Sequence, residues 1–296
     1  MSLTMPSFGK TNNQPKLKGK KIAPGRKVSP FTYFILTIAA FLSAFPFYWM
    51  YVVASNSSDE VGKTPPSVIP GPRFMEVVAN VYSVIDFNTA LINTAKVALI
   101  VAVAQVFFSS IAGFAFSKLQ FKGRKFLILF VIGTMMLPSQ LGIIPLFQLM
   151  ANLNWIDDLK ALIVPALVTA FGVFWMRQII DTQVPNELLE AASIDGASVI
   201  RIYWNVVLPI VRPSAFVLGL FSFLASWNDY LWPLLVLYSP ENFTAQVAIN
   251  ALRGSYALDY SLNLGGALMT TAPLLLLFLF VGRRLVDGVM DGAVKG

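Results

Sequence analysis

The stretch EAASIDGASVIRIYWNVVLP, residues 190–209, interrupts a chain made largely of oily segments. It carries Glu190, Asp195 and Arg201 and is therefore too charged to cross a bilayer, and Gly196 divides it in two. Upstream, Pro185 marks a break and Asn186 is a candidate N-cap, with Glu187 and Glu190 early in the helix where negative charge favours the dipole. Leu188, Ala191, Ala192 and Asp195 fall at i, i+3, i+4 and i+7, a narrow face of small groups that ends in an acid. Gly196 can take the left-handed conformation that terminates a helix and lets a second one leave at a new angle. On that second helix Val199, Ile202, Tyr203, Val206 and Val207 share one face, and Ser198, Arg201 and Asn205 another. Leu208 and Pro209 are expected to stop it before Pro213 opens the next span. A helix lying on lipid would be basic on its polar face, whereas acids and small residues fit close approach by a cytoplasmic protein.

The surrounding chain explains why such a joint must sit beside a membrane. Of 296 residues, 56% are hydrophobic and 12% charged, with a mean hydropathy of +0.67, more apolar surface than a soluble domain of this length could bury. Six segments approach the roughly 20 apolar residues needed to span hydrocarbon: residues 31–54, 94–117, 126–148, 160–180, 212–237 and 264–282. The fold class expected is an all-α membrane protein with six transmembrane helices. Residues 1–30 form a basic arm, 55–93 a proline-rich external loop, 94–283 a closely joined core of five helices, and 284–296 a tail. The first apolar run is too long for a signal-peptide core and lacks a clear small-residue cleavage site, so it reads as an uncleaved helix.

Most of the 22 basic residues fall on one side of this scheme. The arm holds Lys10, Lys16, Lys18, Lys20, Lys21, Arg26 and Lys27; the loop after the second span holds Lys118, Lys122, Arg124 and Lys125. Retention of positive residues in the cytoplasm then places both termini there, in a multi-pass membrane protein. The net charge of +7 is thereby a matter of topology, with membrane lipid as a further attraction for the arm. It gives no support to a nucleic-acid partner, since no basic face with interleaved aromatics lies outside the spans.

The inventory for catalysis is thin. There is no cysteine and no histidine, which removes thiolate metals, cysteine nucleophiles and the usual base and metal ligand near neutral pH. The triplets Gly9-Lys10-Thr11 and Gly62-Lys63-Thr64 lack the glycine five positions earlier that a phosphate loop requires, where Thr4 and Ser57 stand. No catalytic, cofactor or metal site is assigned, and any nucleotide energy must come from another polypeptide. Pro46, Gly113, Pro138, Pro145, Pro165 and Gly172 interrupt or thin the spans, either for ordinary close packing or as hinges.

One acid, Asp229, lies within a span, beside Trp227, Asn228, Tyr230 and Trp232. An ionisable group at that depth faces a cavity, a partner or a permeation path by default, and stacking rings with amide and carboxylate groups suit a sugar or other polyol. The other reading stays open: Trp and Tyr mark the membrane interface, with Asp229 paired to a helix terminus or a cation. An ion-coupled carrier would need ionisable groups in several spans, and an inverted-repeat transporter some internal repeat; neither is visible.

Glu190-Ala191-Ala192, three residues, Gly196, then Leu208-Pro209 resembles the EAA loop of the permeases of binding-protein-dependent ABC importers, and lies between the fourth and fifth spans, as in that family. The stretch SWNDYLWPLL, residues 226–235, and the ending VDGVMDGAVKG, residues 286–296, are similar to the carbohydrate subgroup, in particular the second permease subunit of maltose-type importers. The resemblance implies that residues 182–211 form a coupling loop, with Glu190, Ala191, Ala192, Asp195 and Gly196 at the contact with an ATPase and Leu208-Pro209 as the link into the fifth helix. It further implies a paired second permease subunit, two cytoplasmic ATPase subunits that hold ATP and Mg, and an external solute-binding protein. The cargo expected is a sugar, an oligosaccharide rather than a monosaccharide; a non-sugar solute is the alternative. The tail, with its Gly and Asp residues, is a second candidate for contact with the ATPases.

Overall fold

The computed structural model describes residues 29–57, 60, 63–255 and 259–293, with the backbone alone for residues 254, 255 and 283–293. The basic arm lies almost wholly outside the described residues, as do the side chains of the tail. Among the described residues all regular structure is helical, the form in which a chain in hydrocarbon satisfies its own backbone.

Helix α1 runs Pro30–Ser55. The chain divides within it into two compact units, up to Pro46 and from Phe47 onward. In the first unit Phe31, Phe34, Phe41 and Leu42 are exposed. The second unit begins with the last turns of α1, whose residues Val52 to Ser55 are buried. The expected external loop contains a helix of its own, α2 (Phe74–Val84), with Val77 and Val81 buried.

Helix α3 (Phe87–Lys118) starts well before the expected residue 94, because Asp86 caps it by accepting from the Thr89 N–H at 3.1 Å. Hydropathy marks where a segment becomes oily, whereas a cap marks where the backbone turns helical. α3 is the central strut and packs along α7 (Ala170–Gln183) and α10 (Leu208–Trp227). The α3–α7 crossing is tight at Gly113, where a Cβ would stand 2.7 Å from the backbone N of Arg177; the small residue permits the approach.

Three spans expected to be continuous are broken. The third consists of α4 (Arg124–Met135) and a second limb, residues 139–152, a 3-10 turn followed by α5 (Ile143–Asn152), bent by 98° from α4. Pro138 lies extended at the bend (φ −58, ψ 126), and its ring supplies no N–H to continue the hydrogen bonding of α4. The fourth consists of α6 (Lys160–Ile163), a 3-10 turn over Val164–Ala166 that contains Pro165, and α7, which restarts at extended Thr169 with its hydroxyl accepting from the Gly172 N–H. The fifth ends as α10 at Trp227 and resumes as α11 (Leu231–Val236). Counting the bent pair as one, the described residues hold six helices long and apolar enough to span a membrane, the number expected. Helix α12 (Ala245–Ser255) and the long α13 (Tyr260–Ala293) complete the chain.

Two apolar clusters lie at opposite ends of α3. One joins Phe114 to Met176, Ile180, Tyr203, Val207 and Leu218; the other joins Val97 and Val101 to Met150, Leu162 and Val236. A third holds α2 against α12 and α13 through Val77, Val81, Leu252 and Leu262. Asn93 and Lys118, near the two ends of α3, are separated by roughly 38 Å at the α-helical rise, enough to cross a bilayer.

Candidate functional site

The stretch between the fourth and fifth spans begins as helix α8 (Asn186–Ile194). Pro185, not Asn186, occupies the N-cap, and Asn186 instead accepts from Lys118 Nζ at 3.0 Å. This ties the loop to the end of α3, which Arg124 secures by donating to the carbonyls of Phe116, Ser117 and Leu119. Ser117 donates to Asp181 and Gln183 to Ser214 nearby. The loop therefore rests on a braced platform.

Gly196 ends α8 with φ 76. Its N–H donates to Ser193 O and that of Ala197 to Ala192 O, both at 3.0 Å, the paired bonds of a Schellman termination. Glu190, Ala191, Asp195 and Gly196 are exposed together, while Ala192 is half-buried against the cluster below. Ala192 thus supports the joint from within. Sequence reasoning missed Ile194 and Ile200, which are 86% and 72% exposed on either side of Gly196. A local signal existed, since both are large apolar residues outside the faces singled out in the sequence.

After Gly196, Ser198 caps α9 (Val199–Ile202), which continues as a π turn over Tyr203–Val207 directly into α10. The expected stop at Leu208-Pro209 is not there. Proline removes one backbone donor, and the wider π turn just before it shifts the local pairing so that the helix axis passes through. Leu208 and Pro209 are consequently part of one helical run, Val199–Trp227. Within the π turn, buried Tyr203 places its hydroxyl 2.7 Å from Ser110 Oγ on α3.

That run ends at Trp227, two residues before Asp229. Asp229 lines a cavity of 170 Å³ with Gln105, Ser222, Ser226 and Thr244, and another of 390 Å³ with Ser139 and Gln140 from the bend of the third span. Gln105 binds the parts together: its Nε2 donates to Ala166 O at 3.0 Å, and its Oε1 accepts from Ser222 at 2.7 Å and Thr169 at 3.3 Å. The breaks of three spans meet around one carboxylate. Tyr230, one residue on, faces a third cavity of 360 Å³ with Gln246, Asn250, Arg253 and Asn263. Of the remaining aromatic neighbours, Trp232 lines the 390 Å³ cavity with Asp229 and donates to Ala161 O at 2.9 Å where it packs against the second cluster, whereas Trp227 is buried against Phe223. Asn228 is exposed and donates to Leu224 O. Gln105 was legible as an amide within an apolar span; Gln140 and Asn250 carried no comparable signal.

Beyond that region, Asp157 clasps the segment before α6 to the one after α11. Its carboxylate accepts from the backbone N–H groups of Tyr238 and Ser239 and from the Ser239 hydroxyl, and its carbonyl accepts from Asn242. Partial burial pushes the carboxyl upward, but the hydrogen bonds from Ser239, Tyr238 and Asn242 outweigh it and hold the pKa at about 2.

Residues 105–287 match the family model described as the binding-protein-dependent transport system inner membrane component. The chain belongs to this family of importer permeases. The matched residues include the α8–α10 joint and all three broken spans. The permease is 33% identical to the arabinooligosaccharides transport system permease protein of Halalkalibacterium halodurans, over 92% of this chain and 99% of that one. It is 31% identical to the lactose transport system permease protein of Rhizobium radiobacter, over 89% and 95% of the two chains. The sn-glycerol-3-phosphate transport system permease protein of Yersinia enterocolitica is 30% identical over 90% of this chain and 97% of its own length. In fold the permease is similar to a chain in the crystal structure of a bacterial ABC transporter involved in the import of the acidic polysaccharide alginate, with a TM-score of 0.71 over 88% of this chain and 99% of that one, at 20% identity. With its several apolar spans, the permease is a multi-pass inner membrane protein.

Proposed function

We propose that the permease is a membrane subunit of an ATP-driven carbohydrate importer, that it pairs with a second permease subunit, and that it takes its energy from two cytoplasmic ATPase subunits holding ATP and Mg. The observation that carries this reading is the single helical run from Val199 to Trp227. One end follows directly on the exposed joint at Gly196, and the other opens onto the carboxylate of Asp229. A displacement of the joint is thereby transmitted over roughly 43 Å of helix to the place where three spans break. ATP can drive such a step only if the two states of the permease differ in their contacts with the ATPase, and Glu190, Ala191, Asp195 and Gly196, with Ile194 and Ile200, form the surface on which that difference acts.

Carbohydrate is supported by the names of the relatives and by the carboxylate, amide and hydroxyl groups around Asp229, which suit a polyol. An external binding protein would deliver the solute at the Asp157 end. Lys118 bonds to the loop at Asn186, Arg124 secures the same end of α3, Lys122 lies between them in the chain and Arg201 lies in the loop itself, which favours a cytoplasmic position for the joint and for both termini.

The test is uptake of arabinooligosaccharides and lactose into proteoliposomes that contain the reconstituted complex and binding protein. Accumulation that requires ATP inside, and is lost in Gly196→Trp, is expected. Accumulation indifferent to ATP and abolished by ionophores would replace this reading with an ion-coupled carrier.

A further inference from the structure

The broken fifth span sends two adjacent residues to different cavities, Asp229 to one pair and Tyr230 to a third. The third is built differently. Helix α12 is two-faced: Val247, Ala248 and Leu252 are buried, while Gln246, Asn250 and Arg253 fall at i, i+4 and i+7 and line the cavity. Asn263 of α13 lines it as well; its Nδ2 donates to Asp259 O, and its Oδ1 is buried without a partner among the described residues. No carboxylate is among the lining residues, and Arg253 forms no ion pair among the described residues.

A cavity of 360 Å³ falls within the range of about 300–1,000 Å³ typical of small-molecule sites, as does the 390 Å³ one beside Asp229; charge separates the two, since a carboxylate lines the latter and a guanidinium the former. Three amides and a phenol offer the mixed donors and acceptors that sugar hydroxyls need, and an unpartnered buried amide oxygen calls for a donor. A lone guanidinium adds the fork that binds a carboxylate or phosphate.

We propose that the cavity between Tyr230, α12 and α13 is a saccharide subsite that selects for an anionic group, with Arg253 as the anion ligand and Gln246, Asn250 and Asn263 as ligands to hydroxyls. This deepens the carbohydrate reading and rests on it. Uronates and sugar phosphates share the chemistry recognised.

The chain has no cysteine, so Asn250→Cys puts a unique thiol of this subunit in the cavity. In the reconstituted complex it should react with methanethiosulfonate reagents, the anionic one favoured over the cationic one relative to a free thiol. Adding Arg253→Gln should lower that preference roughly fivefold or more, the effect of one nearby charge acting oppositely on the two reagents. Trigalacturonate should slow the labelling and its neutral methyl ester should not, and Arg253→Gln should raise the half-protecting trigalacturonate concentration by about tenfold or more. Glucose 6-phosphate in place of trigalacturonate tells a sugar phosphate from a uronate. A thiol that does not react, or equal protection by the charged and neutral saccharides, overturns the proposal. Co-purification of the ATPase and second permease subunits checks that the variants assemble. Uptake by the unmodified complex is scored separately: loss of ATP dependence there would sink the carbohydrate-importer reading, while normal uptake with an unprotected thiol would sink the subsite alone.

Discussion

Gly196 carries a φ of 76, and a Cβ built on it would meet nothing within 4 Å. Substitution is therefore opposed by the backbone and not by space inside this subunit. Gly196→Ala should cost about 1–2 kcal/mol locally, and Gly196→Asn less, because asparagine visits this region more easily. ATP-driven uptake should accordingly fall in the order Gly, Asn, Ala, Val at this position, with insertion into the membrane unchanged; equal activity across the series would count against a role for the joint. Asp157 makes a different case, because its effect depends on pH. Its folded pKa of about 2 lies below the unfolded value of about 3.9, so its stabilisation is fully present above pH 4 and is lost as pH falls toward 2. Asp157→Asn, which tolerates the φ of 62 found there, should destabilise the purified complex by about 1–3 kcal/mol at neutral pH. The gap between wild type and variant in thermal unfolding should close between pH 4 and 2; a gap independent of pH would mean that the clasp does not act through charge. Gly196 and Asp229 stood out in the sequence because each is chemically conspicuous where it lies. The roles of Trp227 and Trp232 did not, since an indole near a membrane boundary serves equally as core or as lining until its neighbours are known.

At the scale of elements, hydropathy identified where the chain crosses but not where it breaks. A window of about 19 residues averages over a kink, so the 98° bend at Pro138 and the restart at Thr169 left no trace in it, although each proline was visible. The opposite error occurred at Leu208-Pro209, where a breaker in the sequence breaks nothing, because a π turn precedes it. That turn is held by Tyr203, whose hydroxyl meets Ser110 Oγ at 2.7 Å and whose ring packs on Phe114. Tyr203→Phe keeps the ring and removes the bond, and Ser110 retains Phe107 O as an acceptor. The permease should then assemble normally while solute moved per ATP falls by about fivefold, the ratio that roughly 1 kcal/mol represents. An unchanged transport-to-hydrolysis ratio would show that the turn is only a packing accommodation.

For the whole molecule, the two ends of the run Val199–Trp227 should fail in different ways. On the function proposed, the Gly196 end is a docking surface for another protein, whereas the Asp229 end places a carboxylate at the spaces where the spans break. Gly196→Trp adds bulk at the proposed docking surface, at a position where a Cβ meets nothing within 4 Å and the strain is confined to the backbone at φ 76, so the second permease subunit should still co-purify while the ATPases are lost. Asp229→Asn preserves shape and removes a charge among Gln105, Ser222 and Thr244. It should leave the ATPases bound and reduce uptake roughly tenfold or more, the scale of a hydrogen bond to a charged group. Both are read in the same preparation, by subunit stoichiometry and by uptake. Should Asp229→Asn release the ATPases, the carboxylate would be a structural support of the long helix, and the solute path would have to be sought along the cavities that Asp229 does not line.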